Sequence, residues 1–334
     1  MSDQRIARMK RACPTLTEAL QRYVAEVSIK KKSFPSEKSV ARIWLSSRFA
    51  SKSLARITPM DLQEIRDEWL QEVKPSTVVR RLAMISHLYT TAHKDWGMFW
   101  LDKNPVSSIR RPSVDDGRDR RLYQRIRLYG VPAEECPPTE FEWLCRATKS
   151  VELPVIALIA IETGMRRSEV AMLERERINL TNGVVRLDKT KNGKVRYVPL
   201  TPFAEDALRV WIAMRGKVVR GRIFTIQPGS LSKAFSRARK KARKEYEALC
   251  KKYGRRPHPA YFTDLRFHDL RHEATSRLGA VFSPQKLASI TGQTLEIMVR
   301  YYHPKGVDLA RELALSPLGK RQREELRQRK LALA

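Results

Sequence analysis

Phe267-His268-Asp269-Leu270-Arg271-His272-Glu273-Ala274 places two histidines, an arginine and two carboxylates within eight residues. His268 and Arg271 are three apart, so on a helix they share one face. An imidazole that moves a proton, beside a guanidinium that forks onto two phosphate oxygens, suits a phosphodiester under attack. The same pair equally suits an exposed, salt-bridged helix face. Its meaning depends on whether other cations and a nucleophile stand at matching places.

Three further groups meet that condition. In Thr163-Gly164-Met165-Arg166-Arg167-Ser168-Glu169, Arg166 follows a helix-breaking glycine, where its guanidinium can point into a cleft, and Glu169 is one turn later, placed to orient it. Lys191 lies in Lys189-Thr190-Lys191-Asn192-Gly193-Lys194, a tight turn between two strands from which an ammonium on a flexible stem reaches outward. Arg300-Tyr301-Tyr302-His303 offers two phenols near the C-terminus. Singly, Arg166 suits a helix-end carbonyl and Lys191 an ordinary turn. As an ordered set they point to phosphoryl chemistry.

Composition supports a polyanionic partner. The 334 residues hold 66 Lys and Arg against 36 Asp and Glu, a formal net charge of +30. Such a surplus strains a compact protein by self-repulsion and is usually kept for nucleic acid, through salt-sensitive phosphate contacts. The longest apolar run, Val155 to Ile161, is far too short to span a bilayer, and no signal peptide opens the chain. Cys13, Cys136, Cys145 and Cys250 form no CxxC pair, which reads as a reduced, cytoplasmic protein without structural zinc. Neither a cluster of metal ligands nor a phosphate-binding glycine loop is evident, so no metal or cofactor is expected.

The elements that must position these groups read as two domains. Residues 1–112 are all helix, opened by the capped start Thr15-Leu16-Thr17-Glu18, with a third clear helix from Pro75 burying Val78, Leu82, Ile85, Leu88, Tyr89 and Ala92. That helix shows Thr77, Arg80, Arg81 and His87 on its other side, either a solvated surface or a DNA-contacting one. Residues 113–137 read as a basic linker, overlapping a stretch (110–127) that holds seven arginines among eighteen positions. A second domain, 138–319, alternates helices with two strands, Gly183–Leu187 and Val195–Val198. Residues 237–256, ten basic and two acidic, read as one long exposed helix inserted into it, with Arg237, Arg239, Lys240 and Lys241 as phosphate contacts. A charged tail, 320–334, has only Leu326, Leu331 and Leu333 to bury.

Arg166, Lys191, His268, Arg271 and a late tyrosine, in that order, resemble the tyrosine recombinases (the phage integrase family), over nearly the whole chain. The resemblance implies a mainly α fold with a small antiparallel β-sheet, arranged as a two-domain, C-shaped DNA clamp: a helical core-binding domain and a catalytic domain. It implies a site-specific recombinase that cuts and rejoins DNA through a covalent 3′-phosphotyrosine, without metal or ATP. In it Arg166 and Arg271 would neutralise the phosphate, Lys191 would protonate the departing 5′-oxygen and His268 would take the phenol proton. Partners implied are double-stranded DNA sites, a homotetramer in synapsis (monomer or dimer when free), a docking role for the tail and accessory DNA-bending proteins. With helices beginning within about fifteen residues of the start, no separate arm-site reader is expected, as in the simple Xer or Cre type.

One departure stands out. Members of the family usually carry Gly-His after the H-x-x-R helix, and here the dipeptide is Gly292-Gln293. A glutamine donates a hydrogen bond but neither carries charge nor shuttles a proton. Spacing from Gln293 selects Tyr302 as nucleophile, whereas Arg-Tyr-x-His and an N-cap at Thr294 select Tyr301; we favour Tyr301. Two other readings stay open: a catalytically weak or inactive DNA-binding protein on this scaffold, and a type IB topoisomerase-like enzyme.

Overall fold

In the computed structural model, residues 13–332 are described apart from 102, 116, 119, 189–194, 217–219 and 300–305. The chain forms two compact units, Met1–Arg118 and Asp119–Ala334. The fold class is the expected one: mostly helix, with one small antiparallel sheet.

The first unit is built from α1 (Leu16–Glu26), α2 (Phe34–Leu45), α3 (Pro59–Glu72) and α4 (Pro75–Lys94). Its helix starts follow from local chemistry. Thr15 accepts from the Glu18 amide while Glu18 accepts from the Thr15 amide at 2.8 Å, and Thr58 and Asp61 repeat this capping box at α3. Proline at the first position of α3 and α4 costs no helix bond. The predicted stripe of α4 is buried from Val78 to Ala92. Trp44 and Trp69 meet edge to face at 4.8 Å in this core, and the Trp44 indole donates to the Arg81 carbonyl at 3.0 Å.

The second unit holds α5 (Glu140–Ala147), α6 (Glu152–Thr163), α7 (Arg167–Ala171), β1 (Ile178–Asn179), β2 (Val184–Leu187), β3 (Arg196–Pro199), α8 (Pro202–Met214), α9 (Pro228–Lys252), α10 (Phe267–Gly279), α11 (Pro284–Thr291), α12 (Leu295–Val299), α13 (Gly306–Leu315) and α14 (Pro317–Ala332). Helix α6 is apolar nearly all round because α8 and α10 pack on it. The sheet runs in the order β1-β2-β3, with Val185 opposite Val198 and Leu187 opposite Arg196. Period-2 alternation buries Val185 and Leu187 on β2, and Arg196 and Val198 on β3, while Tyr197 faces solvent.

The structure departs from the expectations in four places. Strand β1, only two residues long, gave no periodic signal and was not foreseen. Residues 237–256 are not a lone exposed insertion: α9 starts at Pro228 and buries Leu231, Ala234, Phe235, Ala238, Ala242, Tyr246 and Leu249 in a helical stripe. Small alanines on that stripe made the charge run look uniformly polar. The stretch expected as a linker divides, because Leu122, Ile126 and Cys136 are buried within the second unit. Buried Glu140 fastens it there, accepting from Arg120 at 2.6 Å and from the Tyr123 amide at 2.8 Å. Finally, the segment beyond Lys320 continues a helix begun at Pro317 rather than starting a separate tail.

Candidate functional site

The site begins where α6 stops. Gly164 caps it with φ +65°, the left-handed region in which glycine alone carries no steric cost, and donates its N–H to the Ala160 carbonyl at 3.1 Å. The chain then turns into α7, with Arg166 as its N-cap residue and Glu169 three positions on. Glu169 accepts from the Arg166 amide at 2.6 Å and from Arg166 Nη1 at 3.0 Å, so the expected orienting role has a geometric basis.

The two arginines converge on one turn. Arg271, on α10, donates from Nη1 to the Gly164 carbonyl at 2.6 Å and from Nη2 to the Thr291 carbonyl at 2.8 Å. Arg166 donates from Nη2 to the next carbonyl, Gly292, at 2.7 Å. Consecutive oxygens of the turn ending α11 thus hold both guanidiniums, and the next residue is Gln293. Gly292 has φ +66°, which favours glycine, and a Cβ there would lie 2.8 Å from Arg196 Nη1, so a side chain would also push that guanidinium aside. Gln293 Oε1 is buried and has no hydrogen-bond partner among the described residues.

His268 occupies the first turn of α10, whose start is capped by Asp269 accepting from the Arg266 amide at 2.7 Å. Its ring meets His272 edge to face at 5.0 Å. Burial first, then His272 and Arg271, push its pKa down to about 4. The ring is nonetheless open to solvent on one side, so water offsets part of the burial effect. The neighbouring cation pushes the same way, which favours the neutral imidazole, a proton acceptor. Glu169 goes the other way. Burial raises it, but donors from Arg196 and Arg166 outweigh that and hold the carboxylate below its usual range.

A cleft of about 670 Å³ opens beside these groups, lined by Arg166, Arg167, Ser232, Arg239, Arg266 and His268. Arg166, His268 and Arg239 of the expected set therefore share one cavity, whereas Arg271 is buried and is not among its lining residues. Arg237, Lys240 and Lys241 are exposed on α9, where Lys241 pairs with Glu245 at 3.4 Å. In the first unit Arg80 is exposed, Thr77 is half-buried and the Arg81 guanidinium stacks 4.7 Å over Trp69. His87 Nδ1 lies 2.8 Å from the Tyr23 hydroxyl, so one ring nitrogen is committed to that buried phenol. Lys191, Tyr301 and Tyr302 lie outside the described residues. Among the described residues no group of three or more His, Cys, Asp or Glu side chains is placed to hold a metal, and no helix is long and apolar enough to cross a membrane.

Sequence reasoning missed several members. Arg196, 7% exposed, donates to both Glu169 oxygens at 3.0 and 2.6 Å. The available signal was an arginine at an inward position of an alternating strand. Arg167 and Arg266 line the cleft, yet look like ordinary neighbours of the motif arginines. Glu273 is buried and accepts from Arg121 at 2.7 Å and Arg277 at 2.9 Å, fastening the 120–124 segment to the helix that bears His268 and Arg271. Its position inside the motif concealed that structural duty.

Residues 139–306 match the model of the phage integrase family. A shufflon-specific DNA recombinase of Escherichia coli is 31% identical over 311 residues, spanning 90% of this chain and 71% of that protein. In fold, the chain is similar to the Tn1549 transposon integrase in complex with a circular intermediate DNA, with TM-score 0.61 and 18% identity over 90% of this chain and 98% of that one. It is also similar to a lambda integrase tetramer bound to a Holliday junction, with TM-score 0.63 and 18% identity over 90% and 81% of the two chains. The chain belongs to the phage integrase family, the tyrosine recombinases, enzymes that break and rejoin DNA in site-specific recombination.

Proposed function

We propose that this protein cuts and rejoins DNA strands through a covalent 3′-phosphotyrosine, with Tyr301 as the nucleophile and without metal or ATP. One observation carries the reading: Arg166 and Arg271, distant in sequence, are gripped by consecutive carbonyls of one turn, and Arg166 shares a cleft with His268. A phenol attacks poorly near neutrality because its ordinary pKa is about 10. The site must therefore supply cations where charge develops on the phosphate, preorganised before reaction. Arg166 and Arg271 do so. The Tyr301 oxygen bonds to phosphorus as the bond to the 5′-oxygen breaks, the phenol proton passes to His268, and Lys191 protonates the departing 5′-hydroxyl. Attack by a 5′-hydroxyl of another strand reverses each step and frees the tyrosine. Gln293, standing where the family usually has histidine, contributes at most an uncharged hydrogen bond to a non-bridging oxygen.

Double-stranded DNA is the substrate, with Arg239 beside the cleft and Arg237, Lys240 and Lys241 on the outer face of α9 meeting its backbone. From the first unit Thr77, Arg80 and Arg81 do the same. His87, held by Tyr23, serves more to shape that surface. By likeness to the tetrameric lambda integrase, the working assembly is a tetramer on two duplexes, and the segment 320–334 contacts a neighbouring protomer.

The test is a suicide DNA substrate carrying the protein's own target, incubated in EDTA without ATP. A denaturation-resistant protein–DNA adduct is expected, with the nucleotide on Tyr301 by mass spectrometry of the trapped peptide. An absolute need for Mg²⁺ would sink the mechanism. A nucleotide on Tyr302 would move the nucleophile by one residue, and an adduct on neither would leave DNA binding without catalysis.

A further inference from the structure

Arg196 belongs to none of the roles above, yet it is the most tightly enclosed cation touching the site's carboxylate. It stands on β3, 7% exposed, with Nη1 3.0 Å from Glu169 Oε1 and Nη2 2.6 Å from Oε2. This two-pronged pairing needs the planar fork of an arginine; a lysine offers only a point charge. Each Glu169 oxygen is shared. Oε1 also accepts from Arg166 Nη1 at 3.0 Å, and Oε2 from the Arg166 amide at 2.6 Å. Arg196 touches the same turn as Arg166, since its Nη1 fills the space beside Gly292 that a side chain would need.

We infer that Arg196 is a positioning residue for strand cleavage: by fixing Glu169 from the far side, it aims the Arg166 guanidinium at the reacting phosphate. The physical argument concerns what Glu169 does without it. A carboxylate this enclosed must satisfy both oxygens. With Arg196 present, each oxygen already has a donor from the β3 side, and Arg166 needs to give it only Nη1, keeping Nη2 on the Gly292 carbonyl. Without Arg196, the guanidinium still bonded to Glu169 is that of Arg166, the N-cap residue of the same helix. It would swing to bind the carboxylate with both prongs, leaving Gly292 and the cleft. The expected fault is therefore a misaimed charge, which slows the chemical step and spares DNA affinity. The inference rests on the proposed role of Arg166.

Single-turnover cleavage of the suicide substrate by the full-length protein tests it. Arg196→Lys keeps the charge and loses the fork, and is expected to lower the cleavage rate constant about 10- to 100-fold with DNA affinity unchanged. A purely structural ion pair would give the same single-variant loss, so the deciding measurement is the double variant. In an Arg166→Ala background, Arg196→Lys should cause no further loss, because the group it aims is gone. Losses that multiply overturn the inference. Should Arg196→Lys not fold, the Glu169→Gln/Arg196→Met double variant replaces the charged pair by neutral side chains of similar size. It should melt as one cooperative unit, cleave slowly, and again add nothing to Arg166→Ala; normal cleavage by it overturns the inference too. Normal cleavage by Arg166→Ala itself would instead remove the phosphate role of that arginine, a failure distinct from this one.

Discussion

Arg271 and Arg237 carry the same guanidinium in opposite settings. Arg271 is 3% exposed and meets main-chain oxygens at 2.6 and 2.8 Å, whereas Arg237 points from α9 into solvent. A guanidinium removed from water is costly unless its donors are matched, so the first setting accepts one geometry and one residue type. On the outer face of α9 water supplies the partners. Arg237, Lys240, Lys241 and Lys244 are there interchangeable, individually weak and screened by salt. Buried cations can hold a phosphate at a fixed point during reaction, and exposed ones can only raise its local concentration. The proposed mechanism uses both, and the two should separate cleanly in experiment.

The largest separation comes from removing the buried cations. Arg271→Ala and Arg166→Ala should each bind DNA yet cleave about 10²–10³-fold more slowly, as expected when a preorganised charge worth about 3–4 kcal/mol is removed from the reacting group. Arg271→Ala should also be the less stable of the two. It leaves the enclosed Gly164 and Thr291 carbonyls without that donor, at about 1–3 kcal/mol for each orphaned group. Arg166 has a 23% exposed side chain, so water can replace part of what it provides. Single-turnover rates and denaturant midpoints for both variants measure this. Wild-type cleavage by Arg271→Ala would erase the distinction between the two settings.

A smaller effect is expected on α9. Replacing Arg237, Lys240 and Lys241 by Ala should weaken binding to all sequences alike, and should flatten the slope of log affinity against log salt by about 0.9 for each phosphate no longer neutralised. Cleavage at saturating DNA should be unchanged. Arg239 sharpens the comparison because it lines the cleft with Arg166 and His268. Arg239→Ala alone should therefore lower both affinity and cleavage rate. Loss of affinity confined to one target sequence would show that α9 reads bases.

The same contrast explains which parts of the molecule were legible in the sequence. Helices with a cap and a stripe were, as Thr15 with Glu18 and the buried face of α4 illustrate. The motif arginines were legible because their order along the chain is distinctive. What escaped was any residue whose duty depends on a partner far away in sequence. Arg196 reads as one more cation in a basic chain until β3 is seen to turn it inward toward Glu169. Arg120, Arg121, Leu122 and Tyr123 read as linker because irregular backbone has no period. Glu140 and Glu273, which receive Arg120 and Arg121, look like ordinary helix carboxylates. On α9 the error lay in counting charge rather than phase, since alanine marks a buried face without adding to apparent hydropathy.

The smallest expected effect concerns His268, which stands between the two settings, open to solvent on one side and crowded by His272 and Arg271 on the other. Its pKa of about 4 lies below the ordinary histidine value of 6.5. The sign follows directly. An unfolded chain takes up the proton as pH falls through 6.5, while the folded one does not until about 4, so His268 makes folding less favourable across that window and contributes no such penalty above it. Solvent access keeps the effect modest. A nuclear magnetic resonance titration of the imidazole in the DNA-free protein should give a midpoint well below 6.5, and Arg271→Ala should raise it by removing the neighbouring cation. Between pH 7 and pH 4.5, His268→Gln should lose less thermal stability than the unmodified protein. A midpoint at or above the ordinary histidine value would mean that the ring is protonated near neutrality, and would reassign His268 from accepting the phenol proton to clamping the phosphate beside Arg271.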